Sequence, residues 1–164
     1  MPCKFPALWN AARMRKPSNL IPCDADHLRY LAQHARPDEI EQFLHFTERD
    51  VYVPEEMAEL FIQWANEGPS FTILGADGMP AASGGYIWRG DGVWSSWMVG
   101  SMHGWDNNWR ALTKAVRWLI DSMFKIGAKR LETRVLPTRT QAIKWYEHGL
   151  GLLRESDGLY VRVA

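Results

Sequence analysis

Val93-Trp94-Ser95-Ser96-Trp97-Met98-Val99-Gly100, then a long helical stripe, then Lys129-Arg130-Leu131-Glu132-Thr133-Arg134-Val135-Leu136, is the stretch on which the fold turns. Val93 to Gly100 is rich in aromatic and β-branched residues and reads as a strand. Trp109, Leu112, Val116, Leu119 and Met123 then recur at three- and four-residue steps, which predicts a helix from about Asp106 to Phe124, with Gly127 just past its end. The segment 129–136 reads as another strand. Two strands of one sheet joined through a crossover helix run parallel, so 93–100 and 129–136 are expected to form a parallel pair.

Upstream, the period is two. Ser70 to Ala76 and Pro80 to Trp88 read as strands around an Asp77-Gly78 turn, and Arg89-Gly90-Asp91-Gly92 turns the chain into Val93. With 93–100 these make an antiparallel meander, and Gly84-Gly85 suggests a bulge. Before the meander lie a short extended segment at Asn19 to Cys23 and three helices. Asp24 caps the first, Asp38 starts the second after Pro37, and Pro54 opens the third, which Gly68-Pro69 ends. After 129–136, Thr138 and Gln141 form a T-x-x-Q capping box for a last helix. Two strands near 152–155 and 159–163 flank Asp157-Gly158. The fold class is therefore α/β (α+β): a mixed, mostly antiparallel sheet with helices on both faces. Met1 to Ser18 reads as a basic arm, with one helical turn near Ala7 to Met14, ahead of a single domain at 19–164.

The chain has 164 residues, and Lys plus Arg equals Asp plus Glu at 19 each, so no whole-protein charge draws it to nucleic acid. There is no apolar run long enough to span a membrane and no secretory leader pattern. Cys3 and Cys23 fit no metal spacing; they read as free thiols in a reducing compartment, with a bridge tying down the arm as the alternative. The five histidines, His27, His34, His45, His103 and His148, likewise have no ligand spacing. Nine tryptophans stand out. Trp109 and Trp118 fall in the long helix, with Trp109 on its apolar stripe, whereas Trp88, Trp94 and Trp105 sit beside glycine or polar turn residues and are expected at the surface.

Ala142-Ile143-Lys144-Trp145-Tyr146-Glu147-His148-Gly149-Leu150-Gly151-Leu152 resembles the "A-I-x-F-Y-E-K-L-G-F" segment of the GNAT (Gcn5-related N-acetyltransferase) superfamily, with one residue inserted. Leu20 to Leu31 is similar to that family's opening, and the order of elements from Asn19 to Val163 matches its fold. Trp97-Met98-Val99-Gly100-Ser101 and Arg117-Trp118-Leu119 resemble a divergent bacteriophage branch that includes podophage internal virion proteins.

The resemblance implies an acetyl-coenzyme A site with a pyrophosphate cradle of pattern "[QR]-x-x-G-x-[GA]" after the 93–100 strand. Here the segment is Ser101-Met102-His103-Gly104-Trp105-Asp106-Asn107-Asn108-Trp109-Arg110, in which only Gly104 remains and Asp106 is acidic. The residues carried over as coenzyme A contacts are Val99, Ser101, Gly104, Asn107, Asn108, Arg110 and Arg139, the last standing where the family has asparagine. Tyr146 is the candidate general acid for the leaving thiolate and His103 the candidate base, since no carboxylate lies on 93–100.

Two functions compete on this sequence. One is a GNAT-like scaffold with a degraded cofactor loop that works by contact with a virion or host protein, in the host cytoplasm or the virion. The other is an acyl-coenzyme A-dependent N-acetyltransferase acting on an amine. Parting of strands 93–100 and 129–136 at one end would supply a cofactor slot; tryptophan side chains filling the gap would argue against catalysis.

Overall fold

The structure is a computed structural model and describes residues 15–164. The helical turn expected at 7–14, and Cys3, lie outside the described residues; Cys23 is buried with a free thiol, which burial pushes up to about 11.

The chain runs β1 (Leu20–Pro22), α1 (Ala25–Gln33), α2 (Pro37–Thr47), α3 (Pro54–Glu67), β2 (Ser70–Leu74), β3 (Pro80–Gly90), β4 (Val93–Gly100), α4 (Met102–Lys125), β5 (Arg130–Arg134), α5 (Thr140–Lys144), a π-helical turn (Trp145–Gly149), β6 (Leu153–Ser156) and β7 (Leu159–Val163). The seven strands form one sheet in the order β1-β2-β3-β4-β5-β7-β6, antiparallel except for the β4–β5 pair. The expected architecture is present, including the parallel pair.

Local chemistry explains the starts and stops. The Asp24 carboxylate accepts the Asp26 N–H at 2.8 Å, and His27 Nδ1 accepts the Asp24 N–H at 3.1 Å, closing a reciprocal cap on α1. Pro37 and Pro54 stand at the first turns of α2 and α3, where a missing N–H costs nothing. Gly78 takes a φ of 79° in the β2–β3 turn. α4 begins four residues earlier than the stripe implied, because Ser101 Oγ accepts the Gly104 N–H at 3.0 Å and caps it.

Two expectations are corrected. Gly84 and Gly85 stay in regular register; the irregularities fall at Ile73/Leu74 and Trp88/Gly90. The glycines are there for close packing, since a Cβ on Gly84 would fall 2.9 Å from the Phe71 ring and one on Gly85 2.6 Å from the Pro69 carbonyl. The Thr138–Gln141 capping box does not form either. α5 starts at Thr140 with Arg139 at its N-cap, and the Arg139 side chain is engaged elsewhere.

The sheet separates two cores. α4 covers one face, with Leu112, Leu119 and Met123 fully buried against strand residues such as Leu20, Ile73 and Leu131. Each such side chain contributes about 1.5–3 kcal/mol of burial. α1, α2 and α3 cover the other face around Leu28, Leu31, Phe43, Met57 and Phe61, with Trp97 and Val99 from β4.

Candidate functional site

β4 and β5 pair only at Val93↔Arg130, Trp94↔Leu131 and Ser95↔Glu132. Beyond Ser95 and Glu132 they part. Within a strand, one residue's N–H and C=O point to the same edge and its neighbours' to the other. The Ser101 N–H reaches back to Ala81 C=O on the β3 side, whereas Gly100 C=O faces away and accepts the Arg36 N–H at 3.3 Å. Met98 shares the parity of Gly100, so its backbone edge is turned into the gap, past the last β5 partner.

A cavity of about 50 Å³ lies at the parting on the α4 side, lined among others by Ser96, Met98, Thr133, Trp145 and Tyr146. On the α2–α3 side a groove of about 370 Å³ shares Ser96, Trp97, Met98, Glu132, Thr133 and Tyr146 with it. Phe43, Phe46, Phe61 and Trp64 form the aromatic wall of that groove. The half-buried Tyr146 therefore stands where both spaces meet, and burial pushes its phenol up, opposed by the Arg139 charge.

The far end of the gap is closed by the protein's own chain at three points. Arg36, between α1 and α2, takes the Gly100 carbonyl, and Ala35 forms a bridge with Ser101. Gln42 Oε1 of α2 accepts the Leu136 N–H at 3.1 Å, just past β5. Arg139 is held at 3.0 Å by Asp38 and 3.2 Å by Glu39, both in the first turn of α2. Burial pushes the Glu39 carboxyl up to about 7 despite the Arg139 charge beside it. At Asp38 burial also raises, but Arg139 and Arg36 outweigh it and hold the carboxyl below its ordinary range.

Tryptophans complete the closure. The Trp105 indole lies on Gly100, where a Cβ would fall 2.5 Å from Cδ1 and closer still to Nε1. It meets Trp145 edge-on at 4.7 Å, and Arg36 stacks over it at 5.7 Å. Trp145 is fixed in turn by a 2.8 Å hydrogen bond from its Nε1 to Thr113 Oγ1. Trp105 Nε1 is buried with no hydrogen-bond partner among the described residues.

The residues singled out in the sequence are distributed differently. Val99 is fully buried, its side chain in the α1–α3 core and its backbone paired with Ser83. Ser101 caps α4. Gly104 lets α4 approach β3, since a Cβ there would sit 2.5 Å from Ala81 Cα. Asn108 Oδ1 accepts the Ala76 N–H at 3.1 Å, and His103, Asn107 and Asn108 line a hollow against the β2–β3 hairpin. The structure thus does not bring His103 to Tyr146. Arg110 is exposed and stacks on Trp109 at 5.2 Å. Arg139 does sit near Tyr146, but bound to Asp38 and Glu39. Of the three tryptophans expected at the surface, Trp88 is 61% exposed, whereas Trp94 and Trp105 pack against the α4 core; Trp109, expected in that core, is 52% exposed. Trp118, in the same helix, is buried.

Arg36, Asp38, Glu39 and Gln42 were not legible as site residues. Their only linear signal, acids after Pro37, reads as filling of the helix dipole, and nothing nearby ties them to Arg139. Among the described residues no group of three or more His, Cys, Asp or Glu is placed to hold a metal, and no helix is long and apolar enough to cross a membrane.

No known family profile matches the sequence, and no curated protein does. Solved structures do match in shape. A GNAT-family acetyltransferase from Bacillus anthracis aligns over 90% of this chain and 96% of its own, with a TM-score of 0.68 and 12% identity. The aminoglycoside acetyltransferase AAC(6')-Ib in complex with coenzyme A aligns over 88% and 94%, at 0.65 and 17%. A spermidine N-acetyltransferase from Vibrio cholerae aligns over 89% and 94%, at 0.58 and 13%. The chain has the GNAT acetyltransferase fold.

Proposed function

We infer that this chain uses the acetyltransferase fold as a scaffold and works by protein contact, as a phage-type GNAT-like protein set against a virion or host protein, without acyl transfer. The observation that carries this is the closed end of the β4–β5 gap: Trp105 on Gly100, Trp145 against Trp105, and Arg36 on the Gly100 carbonyl.

Part of what would grip an acyl-coenzyme A is already engaged, which supports the contact reading. A phosphate cradle draws on free N–H groups at a helix start and on nearby cations. Here Ser101 Oγ already takes the Gly104 N–H, and Arg139 is neutralised by Asp38 and Glu39. Gly104, the one glycine left from the cradle pattern, serves helix–strand packing. The phage placement rests on Trp97 to Ser101 and Arg117 to Leu119 alone; Trp97 and Trp118 are core residues.

A second reading, N-acetyl transfer, is favoured by one feature: the open backbone edge at Met98 beside Tyr146. Calorimetric titration of the full chain with acetyl-coenzyme A separates the two. The contact reading expects no heat up to millimolar cofactor, and expects Trp105→Ala to gain binding by vacating the face of Gly100. Micromolar affinity in the wild type, lost on Arg110→Glu, overturns it.

A further inference from the structure

The balanced net charge conceals a division of the molecule. Residues 19–67, which build α1, α2 and α3, carry eleven acidic side chains against three basic ones. Residues 101–164, which build α4, α5 and the last strands, carry eleven basic against six acidic. These two sets of helices lie on opposite faces of the sheet.

The positive side is shaped. An open groove of about 790 Å³ runs between α4 and α5 with its π-helical turn, and Arg15 and Pro17 ahead of β1 also line it. Arg110, Lys114 and Arg117 form one wall at helical spacing, and Lys144 and His148 face them. Among the described residues the one acid lining it, Asp121, is 4.0 Å from Arg162. Lys114 and Lys144 are exposed with no ion partner among the described residues. Trp109 gives the rim an exposed aromatic ring with Arg110 stacked on it. The negative side is its counterpart: Glu41, Glu48, Asp50, Glu55, Glu59 and Glu67 are exposed with no ion partner among the described residues. On the same side of the sheet, Phe46 near the end of α2 and Val51 between α2 and α3 are 47% and 71% exposed.

Separated like charges of this kind are costly on one molecule and complementary between two. Exposed aromatic and aliphatic residues ringed by charge are the anchors that protein interfaces use. We propose that the chain self-associates head to tail, the acidic α2–α3 face of one copy seating Phe46 and Val51 against Trp109 in the cationic α4–α5 groove of the next. The two surfaces are different patches, so the contact is heterologous and builds a ring or an open row of copies. A nucleic-acid strand fits the groove less well. One face of Trp109 is already covered by Arg110, and the groove runs along the helix body, where backbone N–H groups are spent inside the helix and unavailable to phosphates. The inference goes beyond the contact reading and stands whether or not acetyl-coenzyme A binds.

The test is sedimentation velocity of the full chain across a hundredfold range of concentration, at low and at high salt. The expected result is a mass that rises above the 18.9 kDa monomer with concentration, with the association weakened about tenfold or more at high salt. Lys114→Glu with Lys144→Glu, or Glu55→Lys with Glu59→Lys, should each leave a folded monomer. Mixing these two variants should restore association, because one keeps the native acidic face and the other the native groove. A monomer under all conditions overturns the proposal, as does association indifferent to salt and to both reversals, or failure of the mixture. Binding of a dT12 oligonucleotide to a chain that stays monomeric, lost in the groove reversal, also overturns it and assigns the groove to a polyanion.

Discussion

The indole of Trp105 rests on the bare Cα of Gly100, so the end of β4 is sealed by a side chain five residues further on, one turn into α4. Glycine is required there by contact and not by backbone angle, since Gly100 is absent from the positive-φ residues. Gly100→Ala should destabilise the fold by about 1–3 kcal/mol by forcing the indole aside. Trp105→Ala should cost about 2–3 kcal/mol, less than a fully buried tryptophan. In a double-mutant cycle read by urea denaturation, the Gly100→Ala cost should nearly vanish in the Trp105→Ala background. Additive costs would show that the two residues do not share this contact.

Gly104 gives a prediction of opposite sign to helix propensity. Alanine is favoured over glycine inside a helix by about 1 kcal/mol. Here the new Cβ would meet Ala81 Cα at 2.5 Å and Ala81 O at 2.6 Å, and backbone atoms cannot yield as a flexible side chain can. Gly104→Ala should therefore lower stability by about 1–3 kcal/mol. A raised urea midpoint would refute the packing role.

The strands, the parallel pair and the helices could be read from the sequence because each rests on local pattern: the stripe from Leu112 to Met123, Asp24 as a cap, Asp77-Gly78 as a turn. The closure of the site could not. It joins Arg36 to Gly100, Gln42 to Leu136 and Glu39 to Arg139, pairs 64 to 100 residues apart in the chain that no period or spacing announces. The tryptophans misled for the same reason. Trp109 fits the helical stripe by spacing, yet it lies near the start of α4, where the groove beside α5 leaves it uncovered. Trp105, next to a glycine and an aspartate, is covered because Trp145 arrives from the other end of the domain.

The residue inserted after Tyr146, relative to the family's segment, has a physical home. The Leu150 N–H donates to Trp145 C=O, five residues back, at 3.0 Å, and the turn Trp145–Gly149 is π-helical. A π-turn is what one extra residue makes of an α-helix. Deleting the exposed His148 should convert it to an ordinary turn at a cost under about 1 kcal/mol, a melting shift of roughly 2–4 °C for a chain of this size. Deleting Lys114 from α4, an equally exposed lysine, should abolish folding, because every later stripe residue would rotate off the core. Equal damage from both deletions would mean that the π-turn is not absorbing the extra residue.

Glu39 should make the protein lose stability as pH rises from mildly acid to neutral. Burial lifts its carboxyl to about 7 in the folded chain, whereas in the unfolded chain it titrates near its ordinary 4.5. Between those values the folded state holds the extra proton. Its contribution is therefore complete below about pH 4.5 and is lost as pH climbs through 7, with a slope of at most about 1.4 kcal/mol per pH unit. Asp38 works in the opposite direction and lower, because Arg139 and Arg36 hold it beneath 3.8. Urea midpoints at pH 5, 6 and 7 for the wild type and Glu39→Gln isolate the effect, since the histidines are common to both. The difference between the two proteins should shift steadily in favour of Glu39→Gln as pH rises. Arg139→Met removes the charge that keeps Glu39 ionisable. It should cost about 3–5 kcal/mol at pH 8, where the carboxylate would be stranded, and distinctly less at pH 5, where it is protonated. A pH-independent cost for Arg139→Met would mean that Glu39 is not the charge Arg139 answers.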